Sequence, residues 1–124
     1  MPTPEVIADR VRQYLSAVES GTAAEIASCY TEDATVEDPV GTESHRGREA
    51  IVRFYSAIEN ARRKTELITL RVAGSSAAFH FRARMELADG ATEIDPIDIM
   101  TFDEDGRITG MRAFWSQPDL RAGR

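Results

Sequence analysis

Residues 77–102 read AAFHFRARMELADGATEIDPIDIMTF. In the first part of this stretch the odd positions are Ala77, Phe79, Phe81, Ala83, Met85 and Leu87, while the even ones include His80, Arg82, Arg84 and Glu86. Successive side chains of an extended chain point to opposite faces, so the two-residue alternation over 77–87 predicts a strand with one buried side. Asp89-Gly90 is a strong hairpin signal, and the strand predicted after it spans about 92–102. Asp105-Gly106 marks another turn and 107–116 another strand. Upstream, a strand is predicted over 64–73, and a short one over 34–37 ahead of Asp38-Pro39.

The first half of the chain has a different period. Ile7, Val11, Tyr14, Leu15 and Val18 recur at three- and four-residue steps, which predicts one buried stripe on a helix over 3–20, stopped by Gly21. Thr22 and Glu25 form a capping-box pattern that opens a short helix over 23–30, with Ile26, Cys29 and Tyr30 inward. A third helix fits 47–60, with Ile51, Phe54, Tyr55 and Ile58 on one stripe. Helices grouped first and hairpins grouped last predict an α+β fold, with three helices laid across one face of a mostly antiparallel sheet. A doubly wound α/β fold is disfavoured, because no helices separate the strands.

The 124 residues correspond to one domain over 1–124, and 42% hydrophobic with 29% charged residues is ordinary for a globular chain. Lys and Arg total 15 against 21 Asp and Glu, a net charge of -6 that speaks against nucleic acid or an anionic membrane as partner. No apolar run reaches the ~18–20 residues of a membrane span. The opening MPTPEVIADRVRQYL places charges where a secretory leader needs an apolar core, so a cytoplasmic protein is expected. Cys29 is the single cysteine, and His45 and His80 are the two histidines. No metal site is expected from them. No glycine-rich nucleotide loop or nucleophile elbow is present, and no cofactor is expected.

Among polar residues, Asp98 is the most informative. It lies mid-strand in Ile97-Asp98-Ile99-Met100 and shares parity with Ile94, Met100 and Phe102. A carboxyl on that face is desolvated, which disfavours its charged form. Protonated, it would donate a hydrogen bond. The alternative is an outward Asp98 paired with Arg82, Arg84 or Arg112. Tyr14, Tyr30 and Tyr55, the chain's three tyrosines, all fall on apolar helical stripes. Buried phenols need partners, and a hydrogen-bonded chain of them would satisfy all three and make the terminal one a better donor. Asp38 before Pro39 is either a turn starter or, beside an apolar cavity, a general base. A carboxylate is a weak base toward carbon, so it would need the adjacent carbonyl polarised. Two donors and one carboxylate in an apolar pocket make a proton-abstraction site. His45, His80 and the run Arg62-Arg63-Lys64 read as solvated, the run as a helix end. Cys29 reads as a small buried hydrophobe.

Several segments together carry a resemblance: Arg12-Gln13-Tyr14, Thr35-Val36-Glu37-Asp38-Pro39-Val40-Gly41, Phe54-Tyr55, Pro96-Ile97-Asp98 and Gly110-Met111-Arg112-Ala113-Phe114-Trp115. The chain closely resembles the Δ5-3-ketosteroid isomerases, in the nuclear-transport-factor-like group of cone-shaped α+β domains. The resemblance implies that Asp38 is a general base and that Tyr14 with a protonated Asp98 forms an oxyanion hole. These enzymes are a known instance of a carboxylic acid held neutral by an apolar site. It further implies that Tyr30 and Tyr55 continue a phenol chain behind Tyr14 and that Trp115 lines the site near the base. Phe54, Met100 and Phe114 are expected to line or support it. The implied reaction shifts the double bond of a 3-oxo-Δ5-steroid to Δ4 without a cofactor, in a homodimer. Apolar residues on both faces of 92–102 and 107–116 fit a second buried sheet surface.

Asp95 departs from the pattern, but its parity is opposite to that of Asp98, so it should face away. Fold alone does not fix chemistry. An epoxide hydrolase using an Asp38–Arg112–Asp98 set, a polyketide cyclase, and a non-catalytic dimer that holds an apolar ligand are the rival expectations.

Overall fold

A computed structural model describes residues 1–123 of the chain. The expected domain over 1–124 therefore ends on a residue outside the described ones. Three helices, α1 (Pro4–Ser20), α2 (Ala23–Ala27) and α3 (Arg48–Ser56), accompany eight strands. The strands are β1 (Tyr30–Glu37), β2 (His45–Arg46), β3 (Arg62–Ala73), β4 (Ser76–Leu87), β5 (Gly90–Ile94), β6 (Ile97–Phe102), β7 (Ile108–Phe114) and β8 (Leu120–Gly123). They form one sheet in the order β2-β1-β7-β6-β4-β5-β8, with β3 on the other edge of β4. The architecture is α+β, as expected, on a mixed sheet: β1 pairs with β7 in parallel and the other pairings are antiparallel.

Helix α1 starts where Thr3 accepts a hydrogen bond from the Val6 amide through its side chain, with Pro4 in the first turn. Such a cap is worth about 1 kcal/mol, and proline is preorganised at that position. The helix buries Ile7, Val11, Tyr14, Leu15 and Val18 and packs chiefly on β3. The capping box of Thr22 and Glu25 is present in full. Helix α2 stops at Ala27, however, and Tyr30 opens β1 rather than closing the helix. Tyr30 pairs with Ile108 of β7, and that long-range pairing overrides the local helical pattern. Helix α3 is likewise shorter than the predicted 47–60, and 57–60 are turns.

The strand expected over 92–102 is two strands. Pro96 has no amide hydrogen to give the ladder, so pairing with β4 breaks at Asp95-Pro96 and resumes at Ile97. Arg62-Arg63-Lys64 is the start of β3, not a helix end, and Arg63 donates to the carbonyl of Gly21 just past α1. Strand β8 was not anticipated. It pairs with β5, and Asp95 ties it down by accepting from both Arg82 and Arg121. The core lies between the helices and the inner sheet face, where Ala77, Phe79, Phe81, Ala83, Met100, Phe102, Met111 and Ala113 are buried. Among the described residues no helix is long and apolar enough to cross a membrane.

Candidate active site

Asp98 is the one buried charged-type residue of the described chain, at 1% exposure. Its strand alternates exposed Ile97, buried Asp98, exposed Ile99, buried Met100. On either side it faces Phe79 of β4 and Ala113 of β7. Neither neighbour can solvate a charge, and Asp98 Oδ1 is buried with no hydrogen-bond partner. Burial pushes the carboxyl well above the ordinary carboxylate range, and the nearby charge of Asp38 pushes it the same way. The three arginines that might have neutralised it are engaged elsewhere. Arg82 pairs with Asp95, Arg84 with Glu93, and Arg112 with Glu37. Asp95 faces outward, as its parity indicated.

Tyr14, on the buried stripe of α1, meets Tyr55 of α3 at 2.8 Å between hydroxyls, and Tyr55 meets Tyr30 at 2.7 Å. The Tyr55 hydroxyl is thus the centre of a three-phenol chain. All three phenols are held well above their ordinary value, first by burial. Tyr30 lies behind the other two and does not reach the cleft.

Asp38 follows β1 and precedes a cis peptide to Pro39. Trp115, just past β7, donates its indole N–H to Asp38 Oδ1 at 2.6 Å. Partial burial raises the Asp38 carboxyl, while that hydrogen bond and the charge of His45 lower it. Tyr14, Asp38, Tyr55, Asp98 and Trp115 all line one cleft, partly open to solvent. The rest of the wall is apolar: Val18, Phe54, Ala57, Ile58, Phe81, Ala83, Met85, Ile94 and Pro96.

Of the residues expected to line or support the site, Phe114 and Met100 are not in the cleft wall. Phe114 is 40% exposed on the outer sheet face, with the Arg112 guanidinium 5.3 Å from its ring centre. Alternation along β7 turns Met111 and Ala113 inward, and Phe114 outward with Arg112. Met100 is fully buried on the Asp98 face but packs beneath the cleft rather than in its wall. Arg112 is turned away from Asp98, so the Asp38–Arg112–Asp98 set is not assembled. His45, expected in a solvated loop, is half-buried in β2 and packs on the Phe54 ring, tilted by 38° with 4.7 Å between ring centres. Sequence reasoning did not assign Phe81, Ala83, Met85, Ile58 and Val18 to the site. They sat on the predicted buried faces, yet periodicity does not distinguish a core position from a cleft wall.

Helices laid on one face of such a sheet, with an apolar cleft between helices and sheet, define a domain of the nuclear-transport-factor-like class. Within it, residues 11–111 match the SnoaL-like domain, and the chain belongs to that family. It is 49% identical over 110 residues to the steroid Delta-isomerase of Nocardioides simplex, covering 89% of each chain. Among solved structures it superposes on the epoxide hydrolase/cyclase-like enzyme SalBIII with a TM-score of 0.92, at 28% identity over 99% of this chain and 100% of that one. It shares its fold with RV0760c from Mycobacterium tuberculosis, at a TM-score of 0.88 and 17% identity over 99% and 100% of the two chains.

Proposed function

We propose that the chain is a steroid Δ-isomerase that moves the double bond of a 3-oxo-Δ5-steroid into conjugation. The observation that carries this is the buried, unpaired Asp98 carboxyl sharing an apolar cleft with Tyr14 and Asp38. A protonated acid there has a hydrogen to give and no protein acceptor at its Oδ1. Either hydroxyl can donate in each of the two phenol contacts, and the direction this reading uses, Tyr30 to Tyr55 to Tyr14, leaves the Tyr14 hydrogen for a ligand oxygen. The 49% identity to a protein named steroid Delta-isomerase supports the same substrate class.

In this mechanism the steroid carbonyl oxygen accepts hydrogen bonds from Tyr14 and Asp98. The Asp38 carboxylate takes a proton from the carbon between the carbonyl and the double bond. The electron pair moves onto the carbonyl oxygen as a dienolate. Asp38 then returns its proton two carbons further along, giving the Δ4 ketone. No electrons leave the substrate, so no redox partner takes part. A positioned base contributes ~10²–10⁴-fold, and one oxyanion donor about 2.7–4 kcal/mol. A weak carboxylate base therefore needs both donors to be effective.

The test is the ultraviolet absorbance of the conjugated product from 5-androstene-3,17-dione, for wild type beside Asp38→Asn. Wild type should turn over, while the variant should bind steroid and barely isomerise it. Near-normal turnover by the variant removes Asp38 from its role, and no turnover by wild type ends the proposal. We further propose a homodimer formed through the outer sheet face, where Ile97 sits directly opposite Phe114 and both, with Ile99, are exposed. Exposed apolar clusters of this kind mark association surfaces.

A further inference from the structure

The two faces of β5 do different things. Ile94 sits directly opposite Ala83 of β4, and Ile94, Ala83, Met85 and Pro96 all line the cleft. Along β4, Ala83 lies four residues beyond Phe79, the partner of Asp98. At an extended rise of ~3.3 Å per residue, about 13 Å of strand separates the two positions. This part of the wall therefore meets the end of a ligand remote from its carbonyl. Pairing with β4 also breaks here, at Asp95-Pro96. The opposite face carries charges in a row, because Arg84 of β4, Glu93 of β5 and Arg121 of β8 are register partners across three strands. Arg121 Nε is 3.2 Å from Glu93, and Arg121 Nη1 donates to Asp95 at 2.6 Å. Glu93 and Asp95 are the two residues that flank Ile94. Their side chains are 25% and 21% exposed, so salt and solvent screen these pairs less than fully exposed ones.

We propose that Arg121 is a positioning residue for the remote end of the cleft: its guanidinium forks between Glu93 and Asp95 and so fixes Ile94 and Pro96 against the substrate. This rests on the isomerase reading and concerns a residue outside the cleft. Arg82 and Arg84 anchor the same two carboxylates from β4, Arg82 on Asp95 at 2.9 Å and Arg84 on Glu93 at 3.5 Å. Arg121 thus completes a bridge from β4 through β5 to β8, the outermost strand at this end of the sheet. Short terminal segments open at little cost in free energy. The Arg121 fork ties this one down, together with the Asp95 amide, which donates to the Asp119 carbonyl at 3.2 Å. The reacting end is held by other elements: Tyr14 by α1, Asp98 by β6, and Asp38 by Trp115. Loosening β5 therefore weakens the grip on the substrate and leaves the chemistry in place.

Two ketones separate this role from a general loss of stability. 5-Androstene-3,17-dione extends along the cleft, whereas 3-cyclohexen-1-one, a single ring with the same β,γ-unsaturated ketone, ends short of Ile94. In Arg121→Gln, kcat/KM for the steroid should fall roughly three- to tenfold, through KM, because two half-buried ion pairs are lost. The steroid kcat, and kcat/KM for the cyclohexenone, should stay within about twofold of wild type, since only grip on the remote end has changed. An unchanged steroid KM, or an equal loss on both ketones, would overturn the proposal. If wild type converts neither ketone, the isomerase assignment fails, and equilibrium dialysis of 4-androstene-3,17-dione decides the role of Arg121. Its dissociation constant should rise by the same factor in Arg121→Gln, and an unchanged constant, or no binding to either protein, overturns the proposal.

Discussion

Trp115 and Asp38 are 77 residues apart in sequence and 2.6 Å apart in space. They meet because β1 and β7 run parallel. Val36 pairs with Met111 and Glu37 with Arg112, and the Val40 amide then donates to the Ala113 carbonyl at 2.8 Å. Parallel strands have their C-terminal ends at the same end of a sheet. The residues just past their C-terminal ends, Asp38 and Trp115, therefore emerge side by side at the cleft. A charge-assisted hydrogen bond there fixes the carboxylate without neutralising it.

Replacing that donor gives the first prediction. In Trp115→Phe the carboxylate loses the hydrogen bond that lowers it, while its burial remains. The acid limb of kcat/KM against pH should move upward. Hydrogen bonds to charged groups contribute about 1.5–3 kcal/mol, so the rate at mildly acidic pH should fall well beyond the change near neutrality. A pH–rate profile with an unmoved limb would mean the indole contributes shape alone.

Asp98 sets a pH dependence of stability. Its folded-state carboxyl lies well above its ordinary value, because of burial first and Asp38 second. Between the ordinary carboxylate range and that raised value, the folded state holds a proton that the unfolded state has released. Stability is fully present below the ordinary range and is lost as pH rises, by up to about 1.4 kcal/mol per pH unit. Asp98→Asn carries no such proton, so its stability relative to wild type should rise from pH 4.5 to pH 7 (about one proton's slope). Urea unfolding at three pH values checks this, and a constant difference would show that Asp98 ionises normally in the fold.

Tyr55 is hydrogen-bonded to both other phenols, so its removal leaves two hydroxyls without that partner. Tyr55→Phe strands the Tyr30 hydroxyl in a site of 0% exposure. A buried unsatisfied group costs roughly 1–3 kcal/mol. Tyr30→Phe leaves the Tyr14–Tyr55 bond intact and should cost less. Equal unfolding free energies for the two variants would contradict a chain centred on Tyr55.

The outer face of the sheet gives a test of assembly. Ile97, Ile99 and Phe114 are 48%, 38% and 40% exposed, and they lie on adjacent strands. A charge placed among them, as in Ile99→Glu, should convert a dimer to monomer in sedimentation while leaving the cleft on the other face untouched. A wild-type protein that sediments as a monomer would refute the dimer.

The sequence determined the local geometry. Two-residue alternation turned Asp98 inward and Asp95 outward, and a 3.6-residue stripe placed Tyr14 on the buried side of α1. These are properties of neighbouring residues in one chain segment, and backbone geometry carries them directly. The same logic failed at Tyr30, which is apolar on a helical stripe and equally apolar in a strand, so a short run there could not discriminate. It also failed at Phe114, where membership of a matching segment was no guide to its face. The company each residue keeps comes from long-range packing. Tyr55 bridges two phenols, Trp115 reaches Asp38, and His45 leans on Phe54. Those meetings depend on strand order, on the parallel register of β1 with β7, and on where α3 crosses the sheet. No periodicity within a single segment encodes which distant segment it will lie beside, because that choice is made by the burial of the whole core at once.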